Sequence, residues 1–110
     1  MNVIKIDGRR IHDATSLHTV LAEAFGFPKT YGHNIDALID CLTSLDNPKA
    51  GMSKIHVVPG QIVTLAIADA DDLIAKHRKV LDTLTDALAF VNWRRFERGQ
   101  PAVIAVAFQR

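Results

Sequence analysis

Two aspartates, Asp36 and Asp40, are the residues in this sequence whose spacing most directly indicates a binding function. In a helix they lie one turn apart, where like charges repel by about 0.2–0.5 kcal/mol. The helix dipole favours a carboxylate in the first turn, so it would stabilise Asp36, but this effect fades before Asp40. No lysine or arginine occurs in residues 30–48 to neutralise the pair. The carboxylates therefore suit a cation from elsewhere, although a simple solvated helix face has the same periodicity.

The helix that would carry this pair is the second helix predicted from hydrophobic periodicity. Its buried stripe consists of Ile35, Leu38, Leu42 and Leu45. Asn34 is a suitable N-cap residue, and the helix is expected to end near Asn47-Pro48. At about 100° per residue, Asp36, Asp40 and Thr43 fall together on an outer face.

Three apolar segments, residues 3–6, 62–68 and 102–108, are predicted to form the strands of a sheet. The second of these is almost continuously apolar, as expected for a strand that is covered on both faces of a parallel sheet. Residues 46–60 indicate a long connection with a short extended piece around residues 55–58.

Helical patterns separate these strands. The first helix has the cap candidates Asp13 and Thr15 and ends at Gly26. The interval between the last two strands contains a long helical stripe, and a pattern like a capping box at Thr83 favours two helices there rather than one. This order of elements predicts an α/β fold with a parallel sheet and right-handed crossovers.

The overall composition is that of a small globular protein. With 110 residues, of which 48% are hydrophobic, we expect one domain over residues 1–110. No apolar run approaches the roughly 20 residues that a membrane span requires. The single cysteine, Cys41, excludes an internal disulfide and fits a reducing compartment. We therefore expect a cytoplasmic protein without a membrane partner, and the net charge of +1 provides no overall field for nucleic acid.

Two other classes of function are alternatives, a nucleic-acid-binding module and an enzyme. The basic region, residues 76–98, contains Lys76, Arg78, Lys79, Arg94, Arg95 and Arg98, with Trp93 and Phe96 among them. A small module of this kind could bind nucleic acid, but we expect the cations to complement a helix C-terminus and both aromatic residues to face the core. Metal-ligand spacings, phosphate loops and nucleophile elbows are absent from the sequence. We therefore predict no catalytic residue, no metal site and no cofactor.

The segment FPKTYGHNIDALIDCLTSL, residues 27–45, resembles the barstar family of intracellular ribonuclease inhibitors. That family carries the pattern L-P-x-x-Y-G-x-N-x-D-A-L-x-D-C-L-T in this segment. The matching residues are Pro28, Tyr31, Gly32, Asn34, Asp36, Ala37, Leu38, Asp40, Cys41, Leu42 and Thr43. The order of the predicted elements also fits the family from residue 2 to about residue 108.

This resemblance implies a barstar-like fold, in which about four α-helices pack on a three-stranded parallel sheet. It also implies that helix two and the preceding loop block the active site of a cognate nuclease, with Asp40 as the central anchor and Asp36 as a second anion. The implied partner-binding residues are Thr30, Tyr31, Gly32, His33, Asn34, Asp36, Ile39, Asp40 and Thr43. Such a protein would be an immunity protein, monomeric when free, and not an enzyme.

Several positions depart from the family pattern. Thr30, Ile39 and Leu45 stand where the family has aromatic residues, so the rim of the implied interface lacks aromatic anchors. His33 replaces an acidic residue, and Arg94 stands where the family has a glutamate. The chain is also nearly neutral rather than acidic, so we expect weaker electrostatic steering of a basic ribonuclease.

Overall fold

The computed structural model describes residues 2–110 and contains one parallel sheet in the order β1-β2-β3. The strands are β1 (Val3–Asp7), β2 (Val63–Ala68) and β3 (Ile104–Phe108). The α-helices are α1 (Ala14–Phe25), α2 (Ile35–Thr43), α3 (Asp71–Lys76) and α4 (Arg78–Glu97). Short 3₁₀ helices occur at Gly8–Arg10 and Pro48–Ala50. The predicted α/β fold, barstar-like with a three-stranded parallel sheet and four α-helices, is confirmed.

The two faces of the sheet differ in burial. Helix α1 packs against β1 and α4 against β3, and the strand residues Ile6 and Leu65 are buried beneath the helices. On the opposite face Val3 and Ala105 are exposed. The prediction that the central strand is covered on both faces is therefore wrong. The open face of β2 carries small residues such as Ala66, and Ala66 is buried because β1 and β3 flank it. For this reason the sequence of β2 is apolar although helices cover only one face of the sheet.

Helix α1 begins and ends where the sequence predicts. The Asp13 carboxylate accepts from the Ser16 N–H at 2.7 Å, and the Ser16 hydroxyl accepts from the Asp13 N–H at 3.1 Å. These two hydrogen bonds form a capping box. Gly26 ends the helix with a φ of 65°, a left-handed conformation that glycine adopts without steric cost.

The ends of the other helices differ from the prediction. Helix α2 already ends at Thr43, although Leu45 beyond it is buried. Two helices do form between the last two strands, but the break lies at His77 rather than at Thr83. The Thr83 hydroxyl instead donates to the Lys79 carbonyl at 3.0 Å within α4.

The long connection between α2 and β2 is attached to the core by hydrogen bonds. The Ser53 hydroxyl and the Lys54 N–H both donate to the Phe25 carbonyl, at 2.8 and 2.9 Å. The N–H of the buried Val57 donates to the Leu45 carbonyl at 3.0 Å. No strand forms at the predicted extended piece around residues 55–58.

Buried apolar residues from the sheet and from all four α-helices form one cluster. Within residues 2–110, the helices are all too short or too polar to cross a membrane.

Candidate protein-binding site

Asp36 and Asp40 are both exposed on the outward side of α2, as the periodicity predicts. Asp40 nevertheless has a cationic neighbour, because Arg94 Nη1 donates to its Oδ1 atom at 3.0 Å. This cation is not local in the sequence, because Arg94 lies 54 residues later, on α4. Such an exposed ion pair contributes about 0–1 kcal/mol. Arg94 therefore orients the Asp40 carboxylate without removing it from the surface.

The turn before α2 is held by Asn34. Its carboxamide oxygen accepts from the Ala37 N–H at 2.8 Å, and its amide nitrogen donates to the Gly32 carbonyl at 3.3 Å. A β-carbon at Gly32 would lie 2.9 Å from that amide nitrogen, so a larger residue there would require the Asn34 side chain to shift. His33, between Gly32 and Asn34, has a φ of 51°, a left-handed conformation that is uncommon for residues other than glycine. The turn therefore holds a defined shape next to Asp36.

Tyr31 attaches this turn to α1. Its hydroxyl lies 2.6 Å from His18 Nδ1, and both side chains are buried. Burial, together with the nearby His33, lowers the pKa of His18, and burial also raises the pKa of Tyr31. At neutral pH the Tyr31 phenol is therefore protonated and His18 is neutral, and the tautomer of His18 determines which of the two groups donates. Tyr31 supports the turn from below and does not present its ring to solvent.

Two residues of the predicted set, Ile39 and Thr43, are also buried. The Thr43 hydroxyl donates to the Ile39 carbonyl at 2.6 Å, and α4 packs against α2. The helical wheel placed Thr43 on the outer face because a wheel contains no information about the neighbouring helix. The residues of the predicted set that remain exposed are Thr30, Gly32, His33, Asn34, Asp36 and Asp40.

A depression of about 140 Å³ lies between the turn and α2, with Thr30, Asp40 and Met52 among its lining residues. Cys41 also lines it, and burial, followed by the Asp40 charge, raises the pKa of this thiol to about 11. The thiol is therefore protonated at neutral pH and is a poor nucleophile. No group of three metal-ligating side chains converges within residues 2–110. The exposed Asp40 carboxylate at the edge of this depression suits binding of a cationic side chain.

Arg95 is a residue whose role the sequence analysis missed. It is only 1% exposed, and its Nη1 and Nη2 atoms donate to the two Asp46 carboxylate oxygens at 3.1 and 2.7 Å. Nη1 also donates to the Thr43 carbonyl at 2.8 Å, and Nε donates to the Pro101 carbonyl at 2.8 Å. Arg95 thus joins the end of α2 to α4 and to the segment before β3. Arg95 lies four residues after Val91, on the apolar stripe of α4. This spacing is the feature of the sequence that could have predicted its burial.

The outward face of α4 carries an aromatic strip, which consists of Phe90, Trp93 and Phe96. These residues are 45, 56 and 77% exposed, and the ring centroids of Phe90 and Trp93 are 5.5 Å apart. The prediction that Trp93 and Phe96 face the core is therefore wrong. The inward positions of α4 are taken by the aliphatic stripe and by Arg95.

The basic region 76–98 does not form a cationic patch. Four of its six basic residues pair with aspartates: Lys76 with Asp72, Arg78 with Asp82, Arg94 with Asp40 and Arg95 with Asp46. Within the described part of the chain, Lys79 and Arg98 are the members of this region without a carboxylate partner. The region therefore attracts phosphate groups less than its sequence indicates.

We expect acid to destabilise the protein in part through Asp46. Hydrogen bonds from Arg95 hold the pKa of Asp46 below its ordinary value, which is about 4. A carboxylate whose folded-state pKa is lowered contributes stability above its unfolded pKa, and this contribution is lost as the pH falls through the folded pKa. Denaturant unfolding at neutral pH and near about pH 3 should therefore show a smaller loss for Asp46→Asn than for the wild type. Equal losses of unfolding free energy in the two proteins would contradict this role. Asp7 and Asp13 also have lowered pKa values, but they contribute equally to the acid sensitivity of both proteins.

Comparison with known proteins identifies the family of the chain. The family model described as "Barstar (barnase inhibitor)" matches residues 1–107. A Bacillus subtilis (strain 168) protein named "Putative ribonuclease inhibitor YrdF" is 49% identical over 43 residues. This aligned segment is 39% of the present chain and 47% of that protein, so the chain matches about half the length of this relative. Because the family match extends over nearly all of a chain that also carries the acidic helix and its turn, the chain belongs to the barstar family.

Proposed function

We propose that this protein inhibits a ribonuclease by covering its cationic active site with the outward side of α2 and the turn of residues 30–34. The observation that carries the proposal is the pair of exposed carboxylates, Asp36 and Asp40, one helical turn apart beside a turn of defined shape. A ribonuclease must bind RNA phosphate, and the same cations can bind these carboxylates in its place. The membership in a family described as inhibitors supports this proposal.

The ion pair between Asp40 and Arg94 is compatible with such binding. Arg94 donates to Oδ1, which leaves Oδ2 for a cation of the enzyme, since a carboxylate accepts several hydrogen bonds. Arg94 also reduces the negative charge of the site, because it offsets one of the two aspartates. We therefore expect a smaller dependence of the association rate on ionic strength than for a strongly acidic inhibitor.

The remaining properties follow from the same proposal. The protein would act stoichiometrically, as a cytoplasmic immunity protein that is monomeric when free and has no hydrolytic activity. The buried Cys41, with its raised pKa, agrees with a thiol that stays reduced and unreactive. The alternative, a small nucleic-acid-binding module that uses residues 76–98, is supported by the exposed Trp93 and Phe96 and opposed by the ion pairs of that region.

An inhibition titration tests the proposal. Barnase is the probe, because the family description names it. We expect RNA cleavage by a fixed amount of barnase to fall linearly with added protein and to reach its end point at one molecule per enzyme molecule. The protein alone should cleave no RNA. Cleavage by the protein alone, or unchanged barnase activity at a large molar excess, would contradict the proposal.

A further inference from the structure

We propose that the aromatic strip of α4 is the second half of the nuclease-binding surface, and that it packs on an apolar border of the enzyme's active site. The inference rests on the proposed function and extends it from α2 to α4. It assigns the apolar anchors of the interface to Phe90 and Trp93, two residues outside the segment that carries the family pattern.

The strip is as large as the largest apolar patch on a typical monomer and too small for an interface of its own. Aromatic side chains have about 150–250 Å² of surface each, so the observed exposures correspond to roughly 400 Å² in total. Exposed apolar patches of about 300–600 Å² are often functional. A stable dimer, however, buries about 800 Å² per partner. The area therefore favours a strip that is joined to another binding surface over self-association through the strip alone.

The ion pair between Arg94 and Asp40 joins the strip to the acidic side of α2. Its 3.0 Å length places Arg94 directly beside the carboxylate. Phe90 lies one helical turn before Arg94, so the two side chains are neighbours on the surface of α4. Trp93 follows Phe90, and the two rings are in contact range with centroids 5.5 Å apart. A partner bound at Asp40 can therefore also contact Phe90 and Trp93, which lie beside Arg94 on the same surface.

The chemistry of the two surfaces is complementary. The exposed residues of α2 and its turn are polar, and Tyr31 and Ile39 are buried there, so that side offers charge but no apolar anchor. Interface hot spots are enriched in Trp, Tyr and Arg, and Trp93 is the tryptophan that the chain exposes. The pairing of Arg94 and Arg95 with aspartates lowers the phosphate attraction that a stacking platform for RNA also needs.

The test measures inhibition of barnase by Phe90→Ala and Trp93→Ala. Both substitutions replace exposed residues and raise helix propensity, so the variants should fold. We expect each to raise the inhibition constant about tenfold or more, as for interface anchors. Phe108→Ala is the matched control, because Phe108 is 43% exposed on β3, compared with 45% for Phe90. The control should inhibit like the wild type.

Other outcomes separate this inference from the proposed function. If Asp40→Ala loses inhibition but Phe90→Ala and Trp93→Ala retain it, the inference fails and the proposed function stands. If the wild type does not inhibit barnase at all, both fail. Sedimentation equilibrium of the free protein checks self-association, and a dimer that Trp93→Ala dissociates would overturn the inference. Binding of labelled single-stranded RNA that the same substitution abolishes would also overturn it.

Discussion

Asp40→Ala is expected to weaken binding to the ribonuclease by about 30-fold to several thousand-fold while the free protein remains folded. Truncating one partner of a charged pair that is buried in an interface costs roughly 2–5 kcal/mol of binding free energy. Each 1.4 kcal/mol corresponds to about a tenfold loss of affinity. That range includes data from barnase and barstar, so it is not independent of the family. The loss should lie towards the upper end, because Arg94 would then face the cations of the enzyme without its aspartate.

Thermal unfolding of the free variant separates binding from folding. Asp40→Ala removes an exposed ion pair of about 0–1 kcal/mol, but it also relieves repulsion from Asp36 and raises helix propensity. The unfolding temperature should therefore change little. A variant that unfolds would show that Asp40 is structural, and a variant that folds and binds like the wild type would leave the acidic side of α2 as a solvated surface.

Arg94→Ala and Asp36→Ala are the companion variants. Arg94→Ala should bind barnase at least as tightly as the wild type, because it removes a cation beside Asp40. The double variant lacking both Asp40 and Arg94 should recover part of the affinity that Asp40→Ala loses, which a double-mutant cycle measures. Asp36→Ala should cost less than Asp40→Ala, since the helix N-terminus also holds that carboxylate.

Arg95→Met is expected to lower the free energy of unfolding by about 3–5 kcal/mol. Breaking a buried ion pair by removing one partner has a cost of this size; Arg95 is fully buried here, whereas the Asp46 side chain keeps 17% of its surface exposed. Here the Asp46 carboxylate and the Thr43 and Pro101 carbonyls would all lose a donor. Denaturant unfolding measures this change in free energy. The unfolding temperature should fall by roughly ten degrees or more.

Arg98→Met is the matched control for Arg95→Met. Arg98 is exposed just beyond the C-terminal end of α4 and has no carboxylate partner in the described residues, so its replacement should change stability by less than about 0.5 kcal/mol. Equal denaturant midpoints for the two variants would show that the buried pair contributes nothing to stability. A residual folded fraction of Arg95→Met should also inhibit less well, because the end of α2 loses its attachment to α4.

Local signals in the sequence were enough to predict the elements that carry the candidate site. Asn34 is an N-cap, Gly26 ends α1 and Asp13 begins it, as their types indicate. These predictions succeed because a cap or a left-handed glycine depends on hydrogen bonds within a few residues. The outward position of Asp36 and Asp40 follows in the same way, since helical periodicity alone determines which side of α2 they occupy.

The tertiary structure alone decided which of these residues have partners. Arg94 reaches Asp40 across 54 residues and Arg95 reaches Asp46 across 49, and no local pattern encodes such distances. The burial of Thr43 and the exposure of Trp93 have the same origin, because a helical wheel defines faces but does not say which neighbour packs on them. The sequence by itself therefore determined the parallel fold, the caps and the acidic helix. The packing of α4 against α2 decided which charges are paired and which apolar residues remain exposed.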